Sequence, residues 1–179
     1  MENPFFSLKI NADDISPLIS SITKLLDQFS VPYQLCNNEH ISLAYVLGDH
    51  KKEDLIPIIN EICEKGFSVR ISGFEVLEGQ TTPFDYLALK LTQSDEFEYA
   101  KGFIKEHVLI KENFGGKPFE PHISVVKFEK GILNKDDFES LCRYLEVLNI
   151  DATCRCSVSA KEIELYSKEY AKLDSVSFK

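Results

Sequence analysis

Apolar positions along this chain switch between two periods, one near 3.6 and one near 2. The run FFSLKI at 5–10 is compact and mostly apolar, and it predicts a strand. The segment ADDISPLISSITKLLDQF then sets Ile15, Leu18, Ile19, Ile22, Leu25, Leu26 and Phe29 at helical spacing. Aspartates occupy its first turn, where the helix dipole favours negative charge. Pro32 and the Asn37-Asn38 pair interrupt the pattern, so SVPYQLCNNE predicts a loop into a strand that begins at His40. KKEDLIPIINEICEKG puts Leu55, Ile58, Ile59 and Ile62 on one helical side and ends at Gly66, with Pro57 near enough to the start to be tolerated.

The second half repeats the alternation. FSVRISGFEVLE and FDYLALKL flank GQTTP and predict a hairpin. SDEFEYAKGFIKEHVL predicts a helix with Phe97, Ala100, Phe103, Ile104 and Val108 inward. IKENFGGKPFEP, with its glycines and prolines, predicts a mobile loop, and HISVVKF a strand from His122. NKDDFESLCRYLEVL predicts a helix capped at Asn134, with Phe138, Leu141, Leu145 and Leu148 in register, and the tail to Phe178 reads as two or three strands. This order predicts an α+β fold, one domain over 1–179, with no repeat beyond the two strands that open on histidine.

Composition narrows the function. A net charge of −9 works against long duplex or extended-strand nucleic acid, which draws on rows of lysine and arginine. A nucleotide ligand is therefore expected to be short, held by a few local cations. No stretch approaches the ~18 apolar residues of a membrane helix, and MENPFFSLKI lacks the order of a secretion signal, so a cytoplasmic monomer away from membranes is expected. The five cysteines, Cys36, Cys63, Cys142, Cys154 and Cys156, are odd in number and scattered, which predicts reduced thiols. Cys154 and Cys156 lack C-x-x-C spacing, so neither metal nor cofactor is expected.

The candidate chemistry lies in HISLAYV at 40–46 and HISVVKF at 122–128. Alternation on a strand sends His40 and Ser42 to one face and Ile41 and Leu43 to the other, and His122 and Ser124 behave alike. Two such strands around one space would supply two imidazoles and two hydroxyls. Phosphodiester cleavage needs a proton removed from the attacking oxygen and another given to the leaving oxygen, and histidine does both near neutral pH. The serines would donate to the non-bridging oxygens as charge builds there. Supporting candidates for stacking or phosphate contact are Tyr45, Phe84, Tyr86, Lys111, Lys117, Phe119 and Tyr166, with Phe114 beside the loop. His50, in a turn, and His107, near a helix end, read as structural.

The paired His-Ile-Ser motifs, about eighty residues apart in an α+β chain of this size, resemble the H-x-T/S motifs of the two-histidine (2H), or LigT-like, phosphoesterases. That resemblance implies a bilobal, pseudo-twofold fold with two antiparallel sheets lining a central cleft and helices outside. It implies a metal-independent phosphodiesterase whose histidines are acid and base, acting on short RNA, 2′-5′ linked oligonucleotides or cyclic nucleotides, including immune signalling nucleotides of antiviral defence. Which histidine is the base stays open at this point. The rival expectations are a module that binds a nucleotide or RNA end without cleaving it, and an adaptor whose histidines only start strands.

Overall fold

A computed structural model describes residues 3–36, 40–64, 67–79, 82–92, 94–114, 116–153 and 157–178, leaving the side chains of 117 and 148–153 outside the description. The elements follow the order β1 (Phe5–Ile10), α1 (Ala12–Gln28), β2 (Gln34–Leu35), β3 (His40–Tyr45), α2 (Lys52–Ile62), β4 (Ser68–Leu77), β5 (Phe84–Thr92), α3 (Asp95–His107), β6 (Asn113–Phe114), β7 (Lys117–Pro118), β8 (His122–Glu129), α4 (Lys135–Thr153), β9 (Ser157–Tyr166) and β10 (Lys172–Ser177). Each predicted helix and long strand is present, and the α+β class holds.

The strands join in one eight-stranded sheet of order β2-β8-β5-β4-β9-β1-β3, with β10 on the free part of β9. The two expected sheets are thus halves of a continuous one. β9 bridges them: Ser157, Val158 and Ser159 pair with β4, whereas Ala160 to Tyr166 pair with β1. Read outward from the β4·β9 seam, the order is symmetric, with β5 and then β8 on one side and β1 and then β3 on the other. All pairings among the described strands are antiparallel.

The core forms where alternation in the strands meets the apolar stripes of the helices. Phe6, Leu8, Ile41, Leu43, Ile163 and Leu165 are fully buried, as are Ile15 and Ile22 of α1 and Leu55 and Ile59 of α2. Helix ends follow the sequence signals. Ser94 Oγ accepts from Phe97 N at 3.2 Å, and Asn134 Oδ1 accepts from Asp137 N at 3.0 Å. Pro17 and Pro57 both lie inside their helices, each removing one backbone donor.

Several expectations are corrected. Phe29 lies at the end of α1, outside the buried stripe, and is 61% exposed. The loop after α1 contains β2, which pairs with β8. The helix predicted to run to Gly66 ends at Ile62, and Gly66 lies outside the described residues, as do Asn37, Asn38, Cys154 and Cys156. The glycine-rich loop before His122 contains a small hairpin, β6–β7, whose Phe114 and Phe119 rings pack together 5.5 Å apart. Cys36, Cys63 and Cys142 are free thiols, pushed by burial up to about 11.

Candidate active site

The two motif strands lie toward opposite sides of the sheet path, β3 at one end and β8 next to the short β2 at the other, yet approach each other within 8 Å between Cα atoms, so the sheet curls around a shared space. Each carries the same irregularity. In β3 the pairing steps from Phe6↔Ala44 to Ser7↔Ser42, leaving Leu43 as an extra residue. In β8 it steps from Leu87↔Val126 to Ala88↔Ser124, leaving Val125 extra. A bulge after the serine shifts the alternation by one residue, so the position five after each histidine joins the His-Ser face. In β3 that position is Tyr45, whose hydroxyl lies 3.1 Å from Ser42 Oγ. In β8 it is Lys127, absent from the residues singled out by sequence.

Register extends the correspondence inward. Lys9 stands opposite His40 and Lys90 opposite His122. Ser7 stands opposite Ser42 and Ala88 opposite Ser124, while Glu164 and Glu75 occupy the next strand of each half. The stretches Ser7-Leu-Lys9-Ile and Ala88-Leu-Lys90-Leu are thus a second internal repeat. Comparing the strands that precede each hairpin partner, rather than the motifs alone, would have found it.

Aromatic contacts connect the two histidines. His40 lies 6.3 Å from the Tyr166 ring, Tyr166 stacks on Phe5 at 5.1 Å, and Phe5 stacks on Tyr45 at 5.2 Å. Tyr45 meets Phe119 at 5.9 Å and Phe119 meets His122 at 6.5 Å. Phe5, read from sequence only as a strand residue, is the centre of this chain. Tyr45 and Tyr166 are pushed by burial up to about 12, so both hydroxyls stay protonated at neutral pH. Tyr166 donates to Glu164 Oε2 at 2.9 Å, and Lys172 Nζ holds the other oxygen at 2.7 Å. Glu164 is 3% exposed, and this shared pairing satisfies its buried charge.

His122 donates its Nδ1 proton to the Glu120 carbonyl at 3.0 Å, since a carbonyl only accepts. In the neutral ring, Nε2 then carries the lone pair. Burial holds His122 below the usual imidazole range. Phe84 and Tyr86 lie in β5 around Lys127: its Nζ sits 4.6 Å over the Phe84 ring, and Tyr86 faces it in register. Lys111 is exposed, with Nζ 4.2 Å from the Phe114 ring centre. The side chain of Lys117 lies outside the described residues. His50 contacts the Leu47 carbonyl at 3.0 Å and His107 the Phe103 carbonyl at 2.8 Å, and both line a separate cavity of about 420 Å³ between α2 and α3. Among the described residues, no group of three or more His, Cys, Asp or Glu is placed to hold a metal, and no helix is long and apolar enough to cross a membrane.

No family model matches the chain, and no curated protein sequence matches it. Solved structures do. Usb1 of Kluyveromyces marxianus is 13% identical with a TM-score of 0.60, covering 98% of each chain. TT0787 of Thermus thermophilus is 16% identical with a TM-score of 0.57, over 98% of this chain and 97% of that one. LigT of E. coli is 14% identical with a TM-score of 0.53, over 99% and 97%. Structures of Usb1 with uridine monophosphate, and of LigT with 3′-AMP, match as well. Spanning nearly the whole of each chain, these likenesses give this protein the fold of the LigT-like two-histidine phosphoesterases.

Proposed function

We propose that the chain is a phosphodiesterase acting on RNA ends or small nucleotides, with His40 and His122 as its proton carriers and Ser42 and Ser124 as hydrogen-bond donors to the phosphate. The observation that carries this reading is the approach of β3 and β8, each bringing a bulged His-Ile-Ser strand to one aromatic-lined surface. His122 is the general base: its Nε2 lone pair takes the proton of the attacking ribose hydroxyl or water. The new P–O bond forms, and His40 gives a proton to the departing oxygen as its bond to phosphorus breaks. Ser42 and Ser124 donate to the non-bridging oxygens. Lys9, Lys90 and Lys127 supply the local positive charge that a protein of net charge −9 needs to hold a phosphate. The nucleotides held by Usb1 and LigT support the substrate class. Within it we place short linear or cyclic oligonucleotides first, antiviral signalling nucleotides included, and we assign the protein to the cytoplasm as a monomer of two lobes.

The test is incubation of the purified protein with EDTA against 2′,3′-cyclic monophosphates, 2′-5′ and 3′-5′ oligonucleotides, and cyclic di- and trinucleotides. Turnover that survives chelation is expected. Binding without turnover across the panel would instead favour a capture module.

Two further results are expected. The acid limb of the kcat/KM profile should have its midpoint below about 6.5, because the base works as neutral imidazole and burial keeps His122 neutral to lower pH. A midpoint above that value in a pH–rate series would remove His122 as the base. Lys127→Met should raise KM roughly tenfold, the loss of one charge-assisted contact, and Lys127→Arg should restore most of it. An unchanged KM in Lys127→Met would place the lysine outside the site.

A further inference from the structure

The turn joining β9 to β10 is fastened by its own hydrogen bonds. Ser167 N donates to Ala171 O at 2.9 Å, and Tyr170 N donates to Ser167 O at 3.0 Å. Ser167 Oγ accepts from Glu169 N and Ala171 N, both at 3.2 Å. Together they hold Tyr170 at φ +62°, the left-handed region that bulky L residues rarely occupy. Glycine or asparagine would make this turn with less strain. Here a tyrosine makes it, and the conformation aims its side chain back toward the candidate site.

The Tyr170 ring meets Phe5 edge-on at 5.1 Å, beside the stack that Phe5 forms with Tyr45 and Tyr166, yet the residue stays 62% exposed. Tyr45 stacks on the same Phe5 ring, and its hydroxyl lies 3.1 Å from Ser42 Oγ. Strain, exposure and a place beside the aromatic chain of the candidate site coincide in one residue. Backbone strain held in place by surrounding bonds clusters where it serves a ligand, and an open aromatic face beside a phosphate site offers a platform that any base can stack on.

We propose that Tyr170 forms a nucleobase subsite, the base of the bound nucleotide stacking on its exposed face beside the Phe5–Tyr45 pair. This rests on the phosphodiesterase reading above. A base seated on that face lies beside the Phe5–Tyr45 stack, and Tyr45 reaches Ser42 through its hydroxyl, so the base platform adjoins the hydroxyl proposed to hold the phosphate.

The test compares wild type, Tyr170→Ala, Tyr170→Asn and Tyr170→Phe on adenosine 2′,3′-cyclic phosphate and on ribose 2′,3′-cyclic phosphate, which lacks a base. Asparagine accepts the left-handed conformation, so it removes the ring while easing the turn. Both ring-deleting variants should raise KM for the nucleotide roughly 5- to 100-fold more than for the abasic compound, the range expected for one lost stack. Tyr170→Phe should keep the nucleotide preference, because it keeps the ring. Equal KM changes on the two compounds would overturn the proposal. If wild type cleaves neither compound, the oligonucleotide panel above decides the phosphodiesterase reading separately. Calorimetric titration of the same proteins with uridine monophosphate and with ribose 5-phosphate then decides the subsite. Selective weakening of the nucleotide supports it, and parallel weakening or no change refutes it.

Discussion

Replacing His122 with alanine should lower kcat by roughly 10² to 10⁴, and replacing His40 should do the same, while affinity for an uncleaved nucleotide changes only a few-fold. The two losses share a cause. A phosphodiester exchange that takes a proton at one oxygen must give one at another, so either imidazole alone leaves half of the transfer to water. The double variant should consequently fall little below the single ones, because groups that act as a unit are not additive. Stopped assays for rate and calorimetric titration for affinity separate the two quantities. A single variant that retains more than about a tenth of wild-type kcat would remove that histidine from the proposed chemistry. If wild type and variants alike bind without turnover, the capture reading takes its place.

Phe6→Ala should cost about 3–5 kcal/mol of folding stability, the usual range for deleting a fully buried phenylalanine. Phe6 is 0% exposed and lies in β1, between β3 and β9, opposite Ala44 and Leu165. Neither flanking strand can close the gap without giving up its ladder with β1. A loss of that size is a large part of the ~5–15 kcal/mol that holds a domain together, and for this length it lowers Tm by about 6–20 °C. Urea unfolding measures it. Phe29→Ala is the control: at 61% exposed it should change stability by less than about 1 kcal/mol. Equal losses in the two variants would contradict the assignment of the core.

Much of this was legible in the residues because burial follows period. The helical stripes of α1 and α2 and the alternating first halves of β4 and β9 each bury one face, whereas the compact apolar run of β1 is buried on both, and those patterns are written directly in the chain. β2 was hidden because two exposed residues carry no period. The β6–β7 hairpin was hidden because Gly116, at φ +82°, serves a tight turn as readily as a loose loop. Phe29 fitted the helical spacing but fell where α1 ends and the neighbouring layer no longer covers it.

The candidate site was legible in part. His40, Ser42, His122 and Ser124 followed from a two-residue period. Lys127 did not, since strict alternation sends the fifth position after a histidine to the opposite face, and only the bulge at Val125 returns it. Phe5 and Tyr170 gave no local signal, because their importance arises from strands that meet only after folding.

Among the described strands, β9 alone belongs to both halves of the sheet. β9 changes partner between Ser159 and Ala160, Lys161 is an extra residue at that step, and Asp14 of α1 accepts from both the backbone N and the hydroxyl of Ser159 at 2.9 Å. The fold therefore has an axle: a rigid-body rotation of one half of the sheet against the other bends β9 at the step that Asp14 pins, at a position remote from both histidines.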